Sequence, residues 1–474
     1  MKKQITDIRF WIIFFFLIRM YGITNPPLEV SHNWRQSTVT MVSRNFLEVD
    51  NNIFYPRVDI AGEKTGITGM EFPILNYLIY MVSYLFGYQH WYGRLINLLF
   101  SSFGIWFFYK LIRKYFQKDV AFYSAIILTV SIWFQFSRKI MPDTFSVSLI
   151  IAGIYYGLNY LESKKDRGGL FDLIAYVFLL TIGILSKLPS GFLLIVFVFV
   201  IFSKNVLIRK KIIFSIVSIL GFIPGIIWYF FWVPHLVEAY GFLHFYMGTS
   251  FKNGIIEIIE NTPKTLNMFY ETALQYIGFA AFLFGLIYSI IKNDKKIYLI
   301  FLITFLSFCI IIFKSGQNFP RHSYYIVPFV PIMALIAGYG LSKIRNVKIS
   351  LFILIVIATE CIANQQHDFR IKESEQHILH LENDLSKVSE KDDLILINSG
   401  LFPTPMYFAH RKGWVDSNEK IADDAYIRKL TAVGLKYIVI LKKSFGGKME
   451  LDQYDNVLEN KDYIIYRIGS VDEK

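Results

Sequence analysis

Apolar blocks of bilayer length recur along this chain, parted by short connectors rich in Lys and Arg. No other feature of the sequence restricts its fold as much. A helix needs about 20 apolar residues to cross a hydrocarbon core. Blocks of about that length lie near 10–25, 91–112, 119–137, 143–161, 170–186, 188–203, 212–233, 271–291, 297–313, 323–342 and 349–364. The pattern predicts about 11 transmembrane helices. Only 18% of residues are charged, against about 25% in ordinary soluble chains. This excludes a single soluble globular enzyme, a disordered chain and a disulfide scaffold. Cys309 and Cys361 both lie inside apolar blocks and read as small buried hydrophobes. The net charge of +12 gathers at block ends, where it sets orientation. With no basic helix carrying interleaved stacking aromatics, no nucleic-acid partner is expected. No small-residue cleavage site follows the first block, so it reads as a span and not as a cleaved signal.

The segment 71–86, EFPILNYLIYMVSYLF, is apolar but short. As a helix it reaches about 24 Å, less than the bilayer core of about 30 Å. If it does not cross, the alternate connectors are the N-terminus and residues 113–118, 162–169, 204–211, 292–296 and 343–348. Each carries at least three basic residues, which marks the cytoplasmic side. Residues 71–86 are therefore expected to form an interfacial or re-entrant helix on the outer side. The outer side then receives loop 26–90, the turn near 138–142, the corner at 187, loops 234–270 and 314–322, and the tail. The expected architecture is mainly α: a polytopic membrane helix bundle over 1–364, with 26–90 as its first outer loop, and a small extracytoplasmic α/β domain over 365–474. In the tail, 394–400, 437–443 and 463–469 read as strands, while 371–390 and 418–431 read as helices.

Ionisable residues at membrane depth are costly and point to function. The outer loops hold many of them: His32, Arg35, Gln36, Asp59 and Glu71 in the first; Arg138, Lys139 and Asp143 between the third and fourth spans; Lys187 at a corner; Arg321, His322 and Tyr324 before the tenth. Taken singly, an Arg or Lys here reads as a helix-end residue reaching for the interface. Arg19 has that reading, Arg44 and Asp50 read as loop surface charges, and HRKGW (410–414) reads as a turn. Loop 234–270 carries Tyr240, Phe242, Phe245 and Tyr246, suited either to lying on a membrane surface or to closing over an acceptor. As a set, cations retained in short outer loops call for an anionic partner, and a phosphate headgroup suits Arg and Lys. An outer site has no nucleotide sugar at hand. A lipid-phosphate sugar donor fits, with Asp59, Glu71 or Asp143 to deprotonate an acceptor hydroxyl. Arg138, Lys139, Lys187 and Arg321 are suited to holding the departing phosphate. No His/Cys metal signature is present, although acidic residues beside phosphate make a divalent cation a candidate cofactor.

The chain resembles the GT-C glycosyltransferases of the protein O-mannosyltransferase and lipid A aminoarabinose transferase type. The ordered motifs are EFP-ILNYL, FG-x(5)-GRLINLLFS (86–101), a basic turn, MPD, the corner LSKLP and RHSYYIVPFVP (321–331). The resemblance covers about residues 8–342. It implies an outward-facing site, a polyprenyl-phosphate sugar donor, inversion at the sugar carbon and a soluble outer tail domain. It also implies donor-site roles for Asp143, Lys187 and Arg321. One departure stands out: Arg35-Gln36 occupies the place of the family's early Asp-Glu pair, whose Asp is the presumed base. The resemblance therefore implies either a replacement carboxylate, Asp59 or Glu71, or a chain that binds without catalysing. The expected function is transfer of a sugar to a lipid, glycan or protein acceptor at the outer face of a bacterial inner membrane. The alternatives are a transporter or flippase of a lipid-linked saccharide and a non-catalytic scaffold.

Overall fold

The structure is a computed structural model that describes residues 7–163, 169–242, 248–446 and 449–469. Phe245 and Tyr246 of the aromatic loop lie outside the described residues. The principal helices, in chain order, are α1 Ile8–Arg19, α2 Asn33–Glu48, α3 Ile74–Phe86, α4 Tyr92–Tyr115, α5 Lys118–Val130, α6 Pro142–Glu162, α7 Leu170–Ser186, α8 Ile208–Ile227, α9 Gln275–Ile291, α10 Lys295–Ser315, α11 Val330–Ser342 and α12 Val347–Gln365. The tail adds β1 Leu394–Ile397, α13 Thr404–Ala409, β2 Gly413–Val415, α14 Asp424–Thr431, β3 Leu435–Leu441, β4 Asp455–Glu459 and β5 Tyr463–Arg467.

Two compact units share the chain. The first comprises Met1–Ile23, Gly93–Phe231 and Tyr246–Phe369; the second comprises Thr24–Tyr92, Trp232–Phe245 and Arg370–Lys474. The first unit is the helical bundle of a multi-pass membrane protein. Each of the eleven apolar blocks contains helix. Among the described residues, six helical segments, those with α4, α6, α8, α10, α11 and α12, are long and apolar enough to cross a membrane; Thr262–Ala273 with α9 makes a seventh if that pair, bent by 96°, is one span. The other four blocks give shorter pieces, for sequence reasons. In block 119–137 the first helix ends at Val130; the chain turns at Ser131, whose hydroxyl donates to the Leu128 carbonyl at 2.7 Å, and only the four-residue helix Trp133–Phe136 follows. Block 188–203 opens with Pro189 and winds as a tight 3-10 helix over Leu188–Phe197.

Helices α6 and α11 are buried nearly all round, whereas α8, α10 and α12 turn Ile216, Ile219, Leu306, Ile310, Phe352 and Ile355 outward. A core helix and a lipid-facing helix are both apolar, and only the packing separates them. Two glycines let α9 and α11 touch: a Cβ on Gly285 would lie 2.1 Å from the Ile336 carbonyl oxygen, and one on Gly340 would lie 2.8 Å from Gly285 Cα. Small residues at a crossing allow such backbone approach.

The second unit is built on a five-stranded sheet in the order β2-β1-β3-β5-β4, with β1 parallel to β2 and β3 and with β5 antiparallel to β3 and β4. Alternation along the strands gives it two faces. Ile395, Ile397, Val439, Leu441 and Ile465 pack with Ile378, Leu381 and Met406, and with Met41, Val42 and Phe46 of α2. Leu396, Ile438, Ile440 and Ile464 pack under Ile427 and Leu430 of α14. The first loop thus shares a core with the tail. The sequence reading grouped it with the membrane region because only tertiary pairing reveals that core. The loop also extends the sheet edge, as Gly413 N–H donates to the Asp59 carbonyl (2.9 Å) and Gly62 N–H to the Gly413 carbonyl (2.7 Å). Residues 371–390 are not one helix but a 3-10 stretch, Glu373–His380, followed by the short helix Leu381–Leu385.

Candidate active site

In the bundle unit, the α6 start and the α7 end form one polar corner. Pro142 opens α6 with its fixed φ, which places Asp143 in the first turn, where the helix dipole favours a carboxylate. Lys187 caps α7 in an extended conformation. Its Nζ lies 3.5 Å from Asp143 Oδ1, and the two side chains are 12% and 3% exposed. Ser146, one turn beyond Asp143, donates to the carbonyls of Gly183 (2.7 Å) and Lys187 (3.3 Å). Tyr229 donates to the Leu185 carbonyl at 2.7 Å. The α7 end is therefore fixed by α6 and by the segment after α8. The Lys187 ammonium stands 5.3 Å from the centre of the Tyr324 ring. His322 stacks on that ring, with centroids 5.3 Å apart and planes 14° from parallel. Of the residues singled out in the sequence, Asp143, Lys187, Tyr324 and His322 come together here. An ammonium has three donors, so contact with Asp143 is compatible with a phosphate oxygen on the same nitrogen.

Arg138 and Lys139 sit in the turn between α5 and α6, each 1% exposed. Arg138 donates to the Gly22 carbonyl at 2.9 Å and lies 4.1 Å from the Phe369 ring centre. Arg321 ends the short helix Asn318–Arg321 and is exposed. Asn97 of α4 orders this turn. Its amide donates to the carbonyls of Phe136 (2.9 Å), Lys139 (2.7 Å) and Met141 (3.2 Å), while its oxygen accepts from Ser101 and Thr144. The sequence reading did not single out Asn97. The available signal was a fully apolar-flanked amide in GRLINLLFS. Arg19 does not reach for an interface: it is buried and donates to Ser137 Oγ at 2.6 Å.

In the second unit the polar residues are organised by α2. His32 precedes it in the left-handed region at φ 59°, an unusual conformation for a residue with a Cβ. Arg35 forms a buried ion pair with Glu71, the side chains being 9% and 8% exposed. Gln36 donates to Glu29 at 3.1 Å. Arg44, read from the sequence as a surface charge, is buried instead; it donates to Asp59 (2.9 Å) and to the Tyr407 carbonyl (3.0 Å), 4.7 Å from the Tyr407 ring centre. Asn45 adds a 2.7 Å donor to Asp59. The Tyr407 hydroxyl meets Tyr88 Oη at 2.5 Å and His90 Nδ1 at 2.7 Å. Burial drives the Tyr88 phenol far up, so it stays a neutral donor. Arg35 and Arg44 are nine positions apart on one helix, about 13 Å along its axis. Their partners Glu71 and Asp59 are thus held at two stations, and the loop does not bring these two carboxylates to one point. Asp50, also read as a surface charge, pairs with Arg57 at 2.9 Å.

Among the described residues, no three His, Cys, Asp or Glu side chains come together as ligands for one metal ion. A divalent ion here would have Asp143 as its available carboxylate in the bundle corner.

Residues 71–228 match the family dolichyl-phosphate-mannose-protein mannosyltransferase. That stretch starts at Glu71 and includes Arg138, Lys139, Asp143 and Lys187. No curated protein gives a significant match to the chain. Among solved structures, ArnT from Cupriavidus metallidurans bound to undecaprenyl phosphate is similar at TM-score 0.58, with 11% identity over 97% of this chain and 98% of that one. The Archaeoglobus fulgidus oligosaccharyltransferase in complex with Zn and sulfate is similar at TM-score 0.60, with 13% identity over 91% of this chain and 67% of that one. The same oligosaccharyltransferase tethered to an acceptor peptide with the NVT sequon gives 0.56, at 13% identity over 91% of this chain and 69% of that one. The resemblance read from the motifs is thereby shown at the level of architecture: the chain has the fold of the GT-C membrane glycosyltransferases.

Proposed function

We propose that this chain, with the GT-C architecture as the premise, transfers a sugar from a polyprenyl-phosphate donor to an acceptor hydroxyl. The observation that carries the reading is the Lys187–Asp143 corner beneath Tyr324 and His322. A buried cation anchored by its own carboxylate and an aromatic face suits a leaving phosphate, whose charge grows as the glycosidic C–O bond breaks. The match to a dolichyl-phosphate-mannose family over 71–228, and the undecaprenyl phosphate bound to ArnT, support a lipid-phosphate donor. Glu71 is the proposed base and Arg35 its positioning partner; Asp59 is the second candidate. The base takes the acceptor proton as the acceptor oxygen attacks the sugar carbon, and the lipid phosphate leaves with the bonding pair. One displacement inverts that carbon. Arg138, Lys139, Arg321 and His322 complete the donor side, while Gln36 on α2 and His32 just before it neighbour Arg35, the base's partner.

The acceptor is a lipid, glycan or protein. The location is a bacterial inner membrane, with the basic connectors cytoplasmic and the tail extracytoplasmic. A divalent ion would ride on the donor phosphate, and activity after chelation and Mg²⁺ readdition measures that requirement. The deciding assay uses the purified full chain and a polyprenyl-phosphate sugar. The expected result is loss of donor and gain of glycosylated acceptor in the wild type, and neither in Glu71→Gln or Lys187→Ala. Translocation of an unchanged donor in liposomes would replace the transferase with a flippase.

A further inference from the structure

At the Lys/Arg-rich end of the bundle, residues of connectors 113–118, 292–296 and 343–348 line an open recess of about 430 Å³, walled by Arg113, Lys114, Gln117, Asp294, Tyr339 and Lys343 among others. Cations at helix ends are expected from orientation alone. Three of them lining one open recess of ligand size is a further property. Each has a local tie. Lys114 pairs with Glu162 at 2.7 Å, Lys343 stands 4.5 Å from the Tyr339 ring centre, and Arg113 donates to the Phe116 carbonyl at 3.4 Å. The wall is stiffened by Lys296, which donates to the Tyr115 carbonyl at 2.8 Å and lies 4.4 Å from the Phe116 ring centre. The single lining carboxylate, Asp294, accepts from the Tyr339 hydroxyl at 2.8 Å. None of these residues belongs to the proposed transferase site.

We propose that this recess binds a phosphate-class anion, gripped chiefly by Arg113 and Lys343. A guanidinium fork and an ammonium are the side chains suited to phosphate oxygens. Basic pockets between membrane helices take anionic headgroups by the same chemistry. The phosphate comes either from an anionic lipid headgroup or from a free phosphate in solution. The volume accommodates more than a bare ion.

The test uses the full chain in phosphatidylcholine nanodiscs. Thermal midpoints and native mass spectra are recorded with added phosphatidylglycerol, and separately with inorganic phosphate against chloride at equal ionic strength. Binding should raise the midpoint by mass action. A shift with phosphatidylglycerol alone assigns a lipid headgroup, and a shift with inorganic phosphate assigns a free anion. Arg113→Ala/Lys343→Ala should weaken binding by at least about tenfold, whereas Arg113→Lys/Lys343→Arg should retain it. The midpoint in phosphatidylcholine alone reports whether a variant is folded. Should the double alanine variant fail to fold, Arg113→Gln alone makes the comparison. Absence of a shift with either probe, or undiminished binding by the neutral variants, overturns the proposal.

Discussion

Glu71 and Asp59 carry the same charge in one loop, but Asp59 accepts from both Arg44 and Asn45, and its own carbonyl is tied to Gly413. Removing its charge leaves Arg44 buried without a counter-charge, a situation that costs about 3–5 kcal/mol. Asp59→Asn should lower the unfolding free energy by about that amount while sparing most turnover. Glu71→Gln removes the charge paired with buried Arg35 and should share a stability loss of that kind, but it should also cut turnover by about 10²–10⁴-fold. Denaturant titrations and single-turnover kinetics on the same two proteins separate the outcomes. His377 gives a prediction for pH. Burial lowers its pKa below the ordinary 6.5; its Nε2 meets Ser444 Oγ at 3.0 Å. The folded state therefore prefers the neutral ring. Its stability contribution is intact above pH 6.5 and declines as pH falls through the lowered value. Thermal midpoints followed downward from neutrality should fall less in His377→Gln than in the wild type.

At the scale of elements, the turn 136–141 and the α9–α11 crossing are each held by few groups. Asn97 alone meets three turn carbonyls. In Asn97→Leu the Phe136 carbonyl keeps Thr144 Oγ1 and Lys139 N–H, and the Lys139 carbonyl keeps Met141 N–H, so the cost is that of the lost hydrogen bonds, about 0.5–1.5 kcal/mol each. We expect a lower thermal midpoint and a weaker donor KM, since Arg138 and Lys139 ride on the turn. Gly285→Leu forces α9 away from α11 and should abolish monodisperse behaviour in detergent, read by size-exclusion chromatography. The apolar blocks made helices legible in the sequence, because run length and hydropathy are local properties. Their breaks at Ser131 and Pro189 were less legible, since each helix end depends on what it meets. The strands LILI, YIVIL and YIIYR were likewise visible as β-branched runs. The three-residue β2 and the polar edge strand β4 were not.

For the whole molecule, orientation is the testable quantity. In a background with Cys309 and Cys361 replaced, Leu401→Cys, at a position 91% exposed, should react with an impermeant maleimide in intact spheroplasts. Arg345→Cys should react only after permeabilisation. The reverse pattern would invert the topology. The positions of Asp143, Lys187, Glu71 and Asp59 were legible as charges at or between the ends of apolar blocks, but their partners were not. Arg44–Tyr407 and Asn33–Glu375 join residues hundreds of positions apart, and no local pattern announces such a pair.

Those distant pairings also bear on biosynthesis. Helix α2 completes its surroundings with Ser37 against Thr404 (3.0 Å) and Arg44 against Tyr407, residues that leave the ribosome about 360 codons later. At about 5–20 residues per second, that interval is on the order of 20–70 s. Through it the nascent loop must wait with its sheet-facing side uncovered. Premature termination anywhere before β1 would strand that side permanently, marking the fragment for proteolysis.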